Sequence, residues 1–333
     1  MLTAWYPRSR TDLPRRTLLP PLLLVVATAA FPAQARCDSA PEPCLDAAGL
    51  ELAPAGSRWL LVSEPRAMGP GRVATRFTWV ESARPFVLQS ASPWLAPRRV
   101  DVLSHSRDAE FALSAGITHT LDLELALGLA ASREGAGAHQ VTNPTAPPLS
   151  AQGSRDPRLG VAWVAPSSTS WRQGARLQLT LPLGDEAALA SAQVPVWEPT
   201  VSVSHSGLVD VAAMAGARLR SSTRWQGLRW GTQGLLGLAA LRDLGAGYTT
   251  SLELIASPVL VSQPGRRARP LPAEALAALE FAPPSTPHLA ARVALSLGLP
   301  LSAERDALTA EDHYGVSPTT AAWRLLLALR TTR

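Results

Sequence analysis

Five leucines stand at every second position, Leu121, Leu123, Leu125, Leu127 and Leu129, with Asp122, Glu124, Ala126, Gly128 and Ala130 between them. Side chains on a β-strand point alternately to opposite faces, so this stretch presents one wholly aliphatic face and one polar or small face. The pattern returns at Leu177, Leu179, Leu181 and Leu183, at Val293 to Leu301, and at Trp323, Leu325, Leu327 and Leu329. Followed along the chain, the alternation predicts about twelve strands. The first carries Val73, Thr75, Phe77 and Trp79, the second Phe111, Leu113 and Ala115, and the third runs from Thr118 to Ala131. The others fall at 157–166, 173–183, 196–206, 208–221, 226–242, 247–262, 273–283, 288–301 and 318–331. Only Pro272 to Glu280 also reads as a possible helix.

The links between these strands mostly alternate in length. Tight turns are expected at Gly116, Ser206-Gly207 and Gly245-Ala246-Gly247, and long links after the first strand, with Pro85, Pro93 and Pro97 inside it, and at 132–156, 184–194, 263–271 and 302–316. The stretch from Ser221 to Arg224 breaks the rhythm, being short where a long link is due. Alternating short and long links, and strands of about ten residues or more, are the signature of a barrel that spans a membrane. Closing the sheet satisfies every backbone N–H and C=O within hydrocarbon. The expected fold is therefore all-β, a transmembrane antiparallel up-and-down barrel with its leucine faces toward lipid. The competing fold is a soluble sandwich with tryptophan in its core. Aromatic residues make up only 5% of the chain, a thin supply for the two aromatic girdles of such barrels.

The opening residues read as an address. Arg8, Arg10, Arg15 and Arg16 form a basic region, Thr17 to Phe31 a short apolar run broken by Pro20 and Pro21, and Ala33-Gln34-Ala35 a cleavage site. Residues 1–35 are thus expected to be a signal peptide, 36–70 an irregular periplasmic segment, and 71–333 the barrel. The expected location is the outer membrane. Removing 1–35 takes the formal charge from +5 to +2, which leaves no case for nucleic-acid binding. Cys37 and Cys44 lie in a proline-rich stretch of an exported chain and are expected to form a local disulfide.

Several pieces of the chain resemble one another's counterparts in a known group. Gly174-Ala175-Arg176 running to Leu181-Pro182-Leu183-Gly184-Asp185 is one, and Ala83 to Leu88 is another. Ala115-Gly116-Ile117-Thr118, Arg229 to Gln233, and Gly315 to Pro318 leading into Trp323-Arg324 complete the set. Together they resemble a family of bacterial outer-membrane β-barrel transporters of the phenol-degradation-pathway type, related to barrels that precede OmpA-like domains. The resemblance spans about residues 60–331 and implies a barrel fold and a transport role. The chain departs from the usual pattern in ending Thr331-Thr332-Arg333, where such barrels finish on an aromatic residue. No peptidoglycan anchoring is carried over.

Candidate chemistry is sparse. The six histidines form no H-x3-H or H-E-x-x-H pair, and G-x-S-x-G is absent, so no enzyme, metal or cofactor is expected. The inward faces are more informative. If the leucines look outward, Asp122, Glu124, Glu253 and Glu280 look inward, together with Arg176, Arg218, Arg220, Arg292, Arg324 and Arg330. Two readings stay open: a narrow polar pathway for small solutes, in which the arginine excess favours anions, or a non-conducting envelope barrel whose lumen is filled by paired charges. The partners expected are outer-membrane lipid and the machinery that inserts barrels. The facing also predicts that arginine is costly at Leu125 and better tolerated at Ala126.

Overall fold

The computed structural model describes residues 47, 50–90, 99–137, 148–167, 170–225, 228–260, 271–286, 288–300, 314–316 and 321–333. Twelve strands form the wall: β1 Val73–Ser90, β2 Arg99–Gly116, β3 Leu121–Glu134, β4 Arg158–Val164, β5 Trp171–Thr180 and β6 Val196–His205. They continue as β7 Asp210–Arg218, β8 Gln233–Gly245, β9 Tyr248–Ala256, β10 Pro272–Phe281, β11 Leu289–Pro300 and β12 Trp323–Thr332. Each pairs antiparallel with the next, and β12 pairs back onto β1 from Ala74↔Thr332 to Ala83↔Trp323. The sheet is therefore a closed barrel, and no strand of the wall keeps an open edge.

The facing follows the alternation. Leu123, Leu127 and Leu129 on β3, Leu236 and Leu238 on β8, Leu252 on β9, Leu295 and Leu297 on β11 and Leu327 and Leu329 on β12 are exposed on the outside. Asp122, Glu253 and Ser296, one position along from those leucines, and Arg324, next to exposed Trp323, are buried within. A continuous aliphatic belt with the polar faces turned inside suits hydrocarbon outside and not water. The aromatic residues, though few, collect at its rims. The ring centroids of Trp171 and His205 lie 4.7 Å apart, and those of Tyr248 and Phe281 also lie 4.7 Å apart, all at one end. Trp323 is exposed at the other end.

Short turns at 117–120, 165–170, 206–209, 246–247 and 282–288 share one end with both ends of the barrel sequence. The longer links 135–157, 181–195, 219–232, 257–271 and 301–322 lie at the opposite end, the outer one in barrels of this kind. The break in rhythm at Ser221 disappears here. β7 stops at Arg218 and β8 begins only at Gln233, and the link between them carries its own small hairpin, Thr223–Trp225 with Leu228–Trp230. Two other expectations change. β1 runs on past Pro85 to Ser90 by shifting register between Ala83 and Phe86, with Arg84 at φ 50, so a residue that cannot donate sits at a bulge and not in a link. The stretch Pro272 to Glu280 is strand β10 throughout.

Candidate functional site

The chain enters the wall through the barrel's own interior. Residues 50–68 have no regular structure, and their polar neighbours are the inward positions of the strands. This corrects the expectation that 36–70 is a periplasmic segment: its described part, from Ala47 onward, meets the outer links and the lumen wall. At the outer end the N–H of Ala47 donates to the Leu189 carbonyl in link 181–195 at 2.9 Å, and Glu51 pairs with Arg218 at 3.1 Å. Below this, Arg158 donates to the Leu52 carbonyl, and Arg76 to the carbonyls of Ala53, Pro54 and Trp59. Toward the short-turn end Arg330 donates to the Ser57 carbonyl at 3.0 Å, Arg292 donates to that of Arg58, and the Arg58 guanidinium pairs with Asp210. The segment then presents three successive N–H groups, of Leu60, Leu61 and Val62, to the Glu253 carboxylate at 2.8, 2.7 and 3.1 Å. It leaves past Asp122, which accepts from the Met68 N–H at 2.9 Å, and turns into β1 through Gly69 and Gly71 at φ 84 and 73.

This arrangement answers a need of the sequence. A stretch broken by Pro54 and Pro65 cannot join a ladder, yet its peptide groups must be satisfied in a place water barely enters. Guanidinium groups serve its carbonyls, and carboxylates serve its N–H groups. Its apolar side chains fill the rest. Trp59 and Val62 pack on Ala212, Met214, Ala239 and Leu241. Leu50, Leu52, Leu60 and Leu61 pack on Val80, Leu276, Ala278, Ala294, Leu326 and Ala328. Gly237 keeps the wall low beneath Val62, since a Cβ there would lie 3.1 Å from its methyl group.

The expected lumen residues divide by partner. Glu253 and Asp122 hold main-chain N–H groups of the segment. Glu124 pairs with Arg176 at 2.6 Å. Arg218 joins Glu198 at 3.2 Å and also meets Glu51 of the segment. Glu280 bridges Arg292 at 2.6 Å and Arg330 at 3.0 Å, while Arg324 pairs with Glu274 at 3.1 Å. Arg220 lies beyond the last residue of β7, in link 219–232, so the strand ends short of the expected 208–221. Cys37 and Cys44 lie outside the described residues.

Sequence reasoning missed Arg76, Glu110, Arg158, Glu198 and Glu274, although each sits at an inward position of its strand, and it missed Glu51 and Arg58 altogether. The clue lay in inward apolar residues. Leu326 stands between Arg324 and Arg330 on the inner face of β12, and Val80 and Leu276 are likewise inward and buried. Such residues have no place in a water-filled lumen and imply a packed occupant. A second filling comes from link 181–195, where Ala188, Leu189, Ala190, Ala192 and Val194 are all buried. Asp156 accepts the N–H groups of Gly184 and Ala192 at 2.8 and 2.7 Å. Arg133, paired with Asp108 at 2.6 Å, donates to the Ala188 carbonyl at 3.2 Å.

No family model matches the sequence, and no curated protein matches it either. Solved structures do. An outer-membrane channel from Pseudomonas putida F1 matches with a TM-score of 0.56 at 14% identity, over 82% of this chain and 99% of its own. The toluene transporter TbuX of Ralstonia pickettii matches at 0.42 with 12% identity, over 85% and 96% of the two chains. The NanC porin matches at 0.47 with 7% identity, over 78% and 98%. The last two are too distant to carry an argument. The first shows that this twelve-stranded wall has the fold of a bacterial outer-membrane channel.

Proposed function

We propose that the protein is a narrow outer-membrane channel for small polar solutes, exported by a cleaved signal peptide and inserted with its long links outermost. The observation that carries this reading is a closed barrel with a lipid-suited exterior whose inner wall keeps ionised side chains partly open to water. Arg218 retains 16% of its side-chain exposure and Glu51 retains 22%, although both lie inside the wall. Groups meant only to fill space are cheaper as aliphatics, because a buried ion pair seldom repays its desolvation. The channel fold shared with the Pseudomonas putida protein supports the same reading.

A second reading has its own support. The segment 50–68 is bound by so many hydrogen bonds that a permanently closed barrel with a structural or partner-binding role accounts for it equally well. Purified protein in planar bilayers separates the two. Discrete conductance steps with the segment in place are the expected result. Their absence at high protein density overturns the channel in favour of the filled barrel.

A further inference from the structure

The outer face of the barrel is not a uniform belt. Between β6 and β11 it carries an apolar groove of about 870 Å³. Ala213, Ala240, Ala275 and Ala277 stand outward there, each with a leucine opposite it on the next strand. The alanines make a low floor and the leucines its banks. Exposed Trp171, at the start of β5, lines the end nearest the short turns. A single guanidinium stands at the groove's edge. Arg242 is exposed two residues along β8 from Ala240, on the same outward face and opposite Thr250 of β9. Leu244, two residues further on, is exposed and apolar. Charges at the outer end of the same face are neutralised in place, where Glu81 meets His105 at 2.9 Å and Arg107 at 3.6 Å. Among the described residues no carboxylate pairs with Arg242. Asp243 faces the other side and accepts from the Gly245 N–H at 2.8 Å, and inward Asp210 of β7 pairs with Arg58.

We propose that the groove and Arg242 together bind one anionic glycerophospholipid of the periplasmic leaflet, with its phosphate on the guanidinium and an acyl chain along the alanine floor. Arginine on a lipid-facing strand is costly in mid-bilayer and close to neutral where headgroups begin. The aromatic pairs Trp171–His205 and Tyr248–Phe281 mark that level at this end of the barrel. A guanidinium there offers two parallel N–H donors to phosphate oxygens, a geometry that lysine cannot supply. From Trp171 the groove rises toward the middle of β11, so it leads from headgroup level into the hydrocarbon. A second copy of the barrel fits this face less well. Packed about a two-fold axis, it would bring two Arg242 guanidinium groups into one interface with no carboxylate between them. The leaflet follows from the orientation proposed above, with the short turns toward the periplasm. Conductance plays no part.

The test is native mass spectrometry of the full-length protein in detergent, titrated with dioleoyl phosphatidylglycerol. Wild type is expected to keep one lipid under collisional activation that strips the rest. Arg242→Gln should lower the retained fraction about tenfold, as for the loss of one charge-assisted pair, and Arg242→Lys should lower it less. Ala240→Trp combined with Ala277→Trp fills the groove and leaves the guanidinium in place, and it should lower retention as well. Arg107→Gln, at the outer end, should leave retention unchanged. Heat-modifiable migration checks that each variant is folded, and Arg242→Lys carries the test if a bulkier change is not. A wild-type protein that keeps no lipid overturns the inference, as does retention that ignores either Arg242→Gln or the groove-filling pair. A lipid-free species of twice the chain mass overturns it too, in favour of a second copy on this face. Each of these outcomes leaves the channel reading to the bilayer recordings.

Discussion

Glu253 accepts three consecutive main-chain N–H groups with a single carboxylate, and the consequence is a strong demand on that residue. Each hydrogen bond to a charged acceptor contributes about 1.5–3 kcal/mol, and an N–H left bare in a dry site costs about 1–3 kcal/mol. Glu253→Ala is therefore expected to lower stability by at least ~2 kcal/mol, and Glu253→Gln by less, because the amide oxygen still accepts. Heat-modifiable gel migration, with limited proteolysis of the segment 50–68, reads both effects. Equal, negligible losses in the two variants would remove Glu253 as the anchor. At this scale the sequence was half legible. Alternation alone turns Glu253 inward, but nothing local to β9 names its partner, which lies almost two hundred residues earlier at Leu60 to Val62. Contacts made through main-chain atoms leave no trace in side-chain pattern, which is why Arg76 and Arg158 escaped notice as carbonyl donors.

The strands were the most legible elements, since a period of two over ten or more residues has few other meanings. Their limits were less so, and for physical reasons. At Pro85 a bulge carries the strand onward where proline normally ends one, and at Arg218 the strand stops although Leu219 and Arg220 continue the alternation. The leucine strand β3 offers a test of facing. Leu125 lies on its outward side, and arginine there should cost roughly 2–4 kcal/mol if that position meets the middle of the bilayer. The sequence alone makes Ala126 the tolerant neighbour. The structure withdraws that expectation, because Ala126 packs beside Ala55, Ala74 and Ala112. Arginine at Ala126 should keep the barrel inserted but displace the segment. Leu125→Arg should instead reduce insertion, so protease sensitivity of residues 50–68 in membrane-inserted protein tells the two variants apart. Matching behaviour would count against the assigned faces.

For the whole molecule, wall and filling form one structure. Deleting residues 50–66 should widen the conductance and also lower the temperature of the heat-modifiable transition, because Arg76, Arg292, Arg330 and Glu253 lose their partners together. Wider conductance with unchanged stability would mean that those contacts contribute nothing to holding the wall. The same dependence bears on how the molecule is made. The segment runs the length of the lumen and passes directly into β1, and β1 is one side of the seam that β12 closes. A finished barrel offers no lateral opening through which some twenty residues, Trp59 among them, can be drawn in afterward. The packing of Trp59, Leu60 and Leu61 on the inner wall favours an order of events in which the segment already lies along the curved sheet before its first and last strands meet. The filling then acts as a mandrel on which the cylinder is wound, and the lumen is occupied from the moment it exists.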